Sequence, residues 1–157
     1  MEIQCPEADL EKIVLPHLQG TVFHLTTLRN YQSILKDALI RHNQNGNLTS
    51  PFPFEKHFGS NRGYVCLFDL RNTTPEQIQN ALVGSLHFLD PFDDDTDVVY
   101  LFVSPRLYGK LITNEKAPAL LGDRRKEMWI PEVECWHEGD IPIDLIERVL
   151  VVHIVCD

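Results

Sequence analysis

Residues 21–39, TVFHLTTLRNYQSILKDAL, read as a short strand running into a helix. TVFHL, 21–25, has the run of β-branched and aromatic residues that suits a strand. Thr26 or Thr27 can cap the next helix. Leu28, Tyr31, Ile34, Leu35 and Leu39 then recur at helical spacing and give one apolar stripe from 28 to 39. Downstream, residues 41–62 are polar and rich in Asn, Gly, Pro and Ser, a loop long enough to suggest function. YVCLFDL, 64–70, reads as a central strand, apolar until Asp69. Thr74-Pro75-Glu76-Gln77 is a helix start, with a Thr cap, Pro at the first position and Gln three residues after the cap.

Further along, 90–97 is an acidic loop that lacks the Gly and terminal Glu of a calcium site, so it reads as solvated. VVYLFVS, 98–104, is a second buried strand, and Ser104-Pro105 opens a short helix. A polar stretch with Gly122-Asp123 leads to a strand predicted at 127–137. A helical turn over 142–147 and a final strand over 148–155 complete the order β-α-β-α-β-α-β-β. Strands outnumber short helices, which predicts an α+β domain on mixed or antiparallel sheets. A doubly wound parallel fold is disfavoured, because no Gly-rich turn succeeds the first strand.

The chain has 157 residues, and 14 Lys+Arg against 23 Asp+Glu give a net charge of −9. That length suits one domain over 1–157, able to bury roughly 68–70% of its unfolded surface. With 43% hydrophobic and 24% charged residues it is globular, not collagenous, disordered or disulfide-dense. The acidic balance argues against a grip on many phosphates. Arg62, Arg71, Arg106, Arg124 and Arg125 read as scattered surface charge or as a local basic strip. No run of about 18 apolar residues is present, so no membrane helix is expected. MEIQCPEADLEK lacks an apolar signal core. Cys5, Cys66, Cys135 and Cys156 are far apart and pair with no metal-ligand spacing, which predicts reduced thiols, no metal and a cytoplasmic protein.

Three places carry candidate chemistry. His24 lies at the end of the first strand, where a side chain can enter a cleft; the alternative is a half-buried strand histidine. Tyr64 comes after Gly63, and a glycine ahead of an aromatic strand lets backbone approach a ligand; the alternative is an ordinary loop-to-strand junction. Glu132-Val133-Glu134 places two carboxylates on one side of an extended segment. Their repulsion and the desolvation from Trp136 raise one pKa, a cost that suggests use. The alternative is an exposed strand edge.

In this order the segments resemble the ADP-ribosyltransferase superfamily. Phe23-His24-Leu25-Thr26 with Tyr31 to Leu39 is similar to its entry segment. Gly63-Tyr64-Val65-Cys66-Leu67-Phe68-Asp69 is similar to its second motif, a strand bearing an aromatic or hydroxyl residue. Glu132-Val133-Glu134, with Pro142 eight residues on, is similar to the closing segment of DarT-type toxins. The resemblance spans residues 21–150. It implies two small sheets around an NAD cleft and an NAD-dependent mono-ADP-ribosyltransferase, of the toxin or defence-effector kind. It implies His24 on the adenine-side ribose, the Leu25 backbone on the nicotinamide amide, and Thr26 in support. Tyr64 flanks the nicotinamide, with Cys66 as the competing alignment. Glu134 bonds the 2′-hydroxyl of the nicotinamide ribose and stabilises developing positive charge, while Glu132 and Arg62 lie on the acceptor side. NAD is then a co-substrate, no metal is needed, and the partners are a protein or nucleic-acid acceptor and, for a toxin, a protein inhibitor.

The chain departs from the family pattern at His24-Leu25-Thr26, which is not the His-Gly of the poly-ADP-ribose polymerases. The His also stands where arginine-type toxins carry Arg. Two further readings share the fold: an inactive module that binds NAD, ADP-ribose or a protein, and an RNA 2′-phosphotransferase-like enzyme using Arg62, Arg71 and Arg106.

Overall fold

The computed structural model describes residues 1–43, 58–83, 88–89, 97–121 and 129–155. Eight strands and four α-helices occur among them: β1 Glu2–Pro6, α1 Leu10–Leu18, β2 Val22–Thr27, α2 Leu28–Asp37, β3 Leu39–Ile40, β4 Tyr64–Asp69, α3 Pro75–Val83, β5 Asp97–Val103, α4 Ala117–Leu121, β6 Glu134–Glu138, β7 Ile141–Pro142 and β8 Ile146–Val155. Six strands form one sheet in the order β1-β8-β5-β2-β4-β6, and β3 pairs with β7. Among the described residues only β1 and β8 run parallel. The class is α+β, with a mixed sheet and few helices. Two sheets are present, as the resemblance implied, but one is a six-stranded mixed sheet and only the other is small, with two strands.

The entry segment folds as a strand into a helix, but the apolar stripe read over 28–39 is cut short: α2 ends at Asp37, Leu39 belongs to β3, and Leu35 is exposed where Ile34 is buried. Thr27 caps α2, its Oγ1 accepting from Asn30 N–H at 3.2 Å. Gln77 N–H donates to Thr74 Oγ1 and Thr74 N–H to Gln77 Oε1, closing the capping box at the start of α3. The run in β5 is apolar throughout because both sheet faces are covered. One face packs Phe23, Phe68, Tyr100 and Phe102 under α1 and α3, through Leu10, Val14, Leu18, Ile78 and Ala81. The other packs Val22, Leu67, Val99 and Leu101 under α2 and a 3-10 turn, through Ile34 and Leu107.

The strand predicted at 127–137 begins only at Glu134. Residues 131–133 form a turn, in which Val133 N–H donates to Pro131 O at 2.9 Å. Glu132 there has a left-handed φ of 69°. The two carboxylates therefore do not stand side by side: Glu132 is exposed and Glu134 is 1% exposed. The helical turn predicted at 142–147 is the shorter 3-10 piece Ile143–Leu145, and β8 begins directly after it. The tip of the 41–62 loop, the 90–96 part of the acidic loop, Gly122-Asp123, Arg124, Arg125 and Cys156 lie outside the described residues. No described helix is long and apolar enough to cross a membrane.

Candidate active site where two strands part

The strands carrying His24, Cys66 and Glu134 are consecutive neighbours, β2, β4 and β6. The β4–β6 ladder is regular over five pairs, Tyr64↔Glu138 to Phe68↔Glu134. The β2–β4 ladder holds only Val22↔Asp69 and Phe23↔Phe68. Just before it, Leu70 N–H donates to Thr21 O at 2.9 Å. Backbone groups of alternate residues face the same neighbour in an antiparallel pair. Phe23 and Leu25 therefore turn their N–H and C=O toward β4, and Phe68 and Cys66 turn theirs toward β2; at the start of the ladder Thr21 N–H instead donates to Leu18 O at 3.2 Å. The next exchange along the ladder would join Leu25 to Cys66, and it is not made. The ladder ends there, leaving Leu25 N–H and C=O without a ladder partner on β4.

His24 bridges the two strands just past the end of that ladder. Its Nδ1 donates to Cys66 O at 2.8 Å. A carbonyl can only accept, so Nδ1 carries the proton and Nε2 is the acceptor nitrogen of the neutral ring. Among the described residues no enclosed side-chain nitrogen or oxygen lacks a partner. Nε2 makes no bond, so it is not fully enclosed. Burial holds the His24 pKa below its ordinary value, and the bond to Cys66 O partly opposes that. The lowered pKa means the unfolded chain protonates first as pH falls through about 6.5. The stabilisation from neutral His24 is therefore present at neutral pH and declines in acid. The acid-side fall of Tm is expected to be shallower in His24→Gln, measured by melting between pH 7.5 and 5; parallel curves would contradict it.

Glu134 is the buried end of the same array. Oε1 accepts from Trp136 Nε1–H at 2.9 Å and from Cys66 Sγ–H at 3.1 Å, and Oε2 accepts from Ile130 N–H at 2.6 Å. Asn114 Nδ2 ties down the backbone around it, donating to Ile130 O at 3.2 Å and Glu134 O at 3.1 Å. Cys66 thus joins the two candidate groups, its carbonyl to His24 and its thiol to Glu134. By ladder alternation His24 shares a face with Leu101, and Glu134 shares the other face with Phe68 and Trp136. The two side chains therefore lie on opposite faces of the sheet, linked through Cys66, whose carbonyl meets one and whose thiol meets the other.

Burial, then the charge and hydrogen bond of Glu134, push the Cys66 thiol well above its ordinary pKa. Cys66 is a half-buried, protonated donor here, not an inert core thiol. Glu134→Gln removes the anion, lowers that pKa and raises the thiolate fraction. Alkylation of Cys66 by iodoacetamide at pH 8, read by peptide mass spectrometry, is expected to speed up several-fold in that variant. Equal rates would contradict the Cys66–Glu134 contact.

The remaining candidates lie elsewhere. Tyr64 is half-buried at the far end of β4 against the Phe58 ring, at 6.4 Å between centroids. Cys66, the competing alignment, is the residue that touches Glu134. Thr26 is buried in β2 opposite Val99. Arg62 stacks on Phe58, 4.1 Å from the ring centroid, and donates to Phe58 O and Leu120 O. Glu132 stays at the exposed turn preceding β6. Trp136, Asn114 and the Ile130 N–H were not anticipated as Glu134 partners; the Glu-x-Trp spacing, which puts both side chains on one strand face, was the available signal. No family model, curated protein or solved structure matches the chain.

Proposed function

We propose that the chain is an NAD-dependent mono-ADP-ribosyltransferase, of the toxin or defence-effector kind and acting in the cytoplasm. What supports this reading is Cys66, beside the end of the β2–β4 ladder, whose carbonyl bonds the His24 imidazole and whose thiol bonds Glu134. A carboxamide offers one acceptor and two donor hydrogens, the complement of the Leu25 N–H and C=O. His24 Nε2 accepts from a ribose hydroxyl. Reaction breaks the bond between nicotinamide nitrogen and ribose C1′. The electron pair leaves with nicotinamide, positive charge grows on the ribose, and an acceptor nucleophile bonds C1′ and loses its proton. A carboxylate set against that charge lowers the barrier. For Glu134 to meet the 2′-hydroxyl, the Ile130 N–H has to give way to it.

The acceptor is a protein side chain or a nucleic-acid group. A charge of −9 disfavours long duplex contacts, whereas a single flipped base needs only a small pocket. The RNA 2′-phosphotransferase reading is not favoured, because its arginines already have partners. Arg71 pairs with Asp69 at 2.6 Å and stacks on Tyr108. Arg106 reaches Asp144 O at 3.4 Å, and Arg62 is held by the Phe58 and Leu120 carbonyls.

The enclosure of Glu134 favours one second reading, a module of the same fold that binds NAD or ADP-ribose without cleaving it. Calorimetry with NAD beside an assay of nicotinamide release separates the two. The transferase binds NAD and releases nicotinamide; the module binds only. His24→Ala, losing the contact to ribose and the tie to Cys66 O, is expected to weaken NAD binding about tenfold, the size of one hydrogen bond to a buried polar group. Undiminished binding would remove His24 from the site.

A further inference from the structure

Trp136 is the largest fully buried side chain among the described residues. Its backbone is fixed by two bonds to Ile112, 2.8 and 3.0 Å long. Its ring lies against Phe58, 4.4 Å between centroids, and packs with Ala117. Gly59 closes another side: a Cβ there would sit 2.6 Å from Cδ1 of the indole. A ring held on so many sides has one orientation, and its N–H points at Glu134 Oε1.

A buried indole N–H needs an acceptor, but a neutral one would serve. Burying a carboxylate is far more costly than burying an amide or a carbonyl. The presence of Glu134 is therefore not explained by the needs of Trp136, whereas a rigid buried donor does explain how a carboxylate keeps one orientation. We infer that Trp136 is a positioning residue for Glu134, and that Gly59 is the small residue that lets the indole seat. This rests on the transferase reading for its consequence in catalysis; the contact itself can be tested without NAD.

The test is Trp136→Phe, which keeps an aromatic ring against Phe58 and removes the N–H. The carboxyl of Glu134 is tracked by carbon-13 NMR in glutamate-labelled protein, assigned by its absence in Glu134→Gln. Loss of a donor to the ionised form is expected to raise the titration midpoint by about one pH unit relative to the wild type. In the nicotinamide-release assay kcat is expected to fall about tenfold with KM for NAD unchanged, since an oriented charge acts on the transition state. Gly59→Ala keeps the N–H but displaces the ring, and its backbone φ of −68° admits alanine. It is expected to move both readouts the same way, and it serves where the Phe variant does not fold. A midpoint unmoved in the variants, with kcat at the wild-type value, overturns the inference. A wild-type chain that binds NAD but releases no nicotinamide overturns the transferase reading and with it the catalytic role of Trp136, even where the midpoint moves.

Discussion

Replacing Glu134 with glutamine is expected to lower nicotinamide release from NAD by about 100-fold or more, the size found when one electrostatic stabiliser is removed. The loss should fall on kcat, because the charge matters most as the ribose becomes positive. The substitution also disturbs a fully donated site. The carboxylate takes N–H from Trp136 and Ile130 and S–H from Cys66, whereas an amide turns its own N–H₂ toward at least one of these donors. Such a mismatch costs about 1–3 kcal/mol of stability. Melting the variant beside the assay separates the effects: a folded variant with wild-type release removes Glu134 from the chemistry. The same variant with lowered release and a faster-alkylating Cys66 ties the catalytic and geometric arguments to one group.

Phe23→Ala is expected to cost about 3–5 kcal/mol, the range for deleting a buried aromatic side chain. Phe23 is 0% exposed and meets four rings, those of Phe68, Phe88, Tyr100 and Phe102, at centroid distances of 5.5–6.2 Å. A domain of ordinary stability has only about 5–15 kcal/mol in total, so the variant should show a large drop in urea midpoint. Phe23 is also the last residue of β2 paired to β4. Its ring fixes where the strands part, so NAD binding should weaken even in conditions where the variant is folded. A loss under about 1 kcal/mol would mean that another group seats β2.

The local signals of this chain were legible because neighbouring residues generate them. The Thr27 cap and the Thr74–Gln77 box need only near neighbours and formed as read. The 131–133 turn did not, because alternation through Glu132-Val133-Glu134 looks the same in a strand and in a turn that ends with a strand. Helix α1 went unread: Leu10, Val14 and Leu18 carry its buried face, but Pro16 stands inside it and breaks the usual expectation. Strand β1 has no local mark, since its partner β8 lies nearly the whole chain away.

The candidate site divides along the same line. The sequence nominated His24, Tyr64 and the Glu132/Glu134 pair, with Cys66 as the competing alignment that the family resemblance offered, and the spacing of two between Glu134 and Trp136 was the signal for their shared strand face. Which of Tyr64 and Cys66 meets the carboxylate, and that Glu132 stands apart from it, depended on register between strands distant in sequence. That Leu25 has no ladder partner on β4 likewise depends on the β2–β4 ladder stopping after Phe23↔Phe68. Hydrophobic periodicity sets which face a side chain takes, whereas pairing partners, ladder ends and turn dihedrals are chosen by packing of the whole chain.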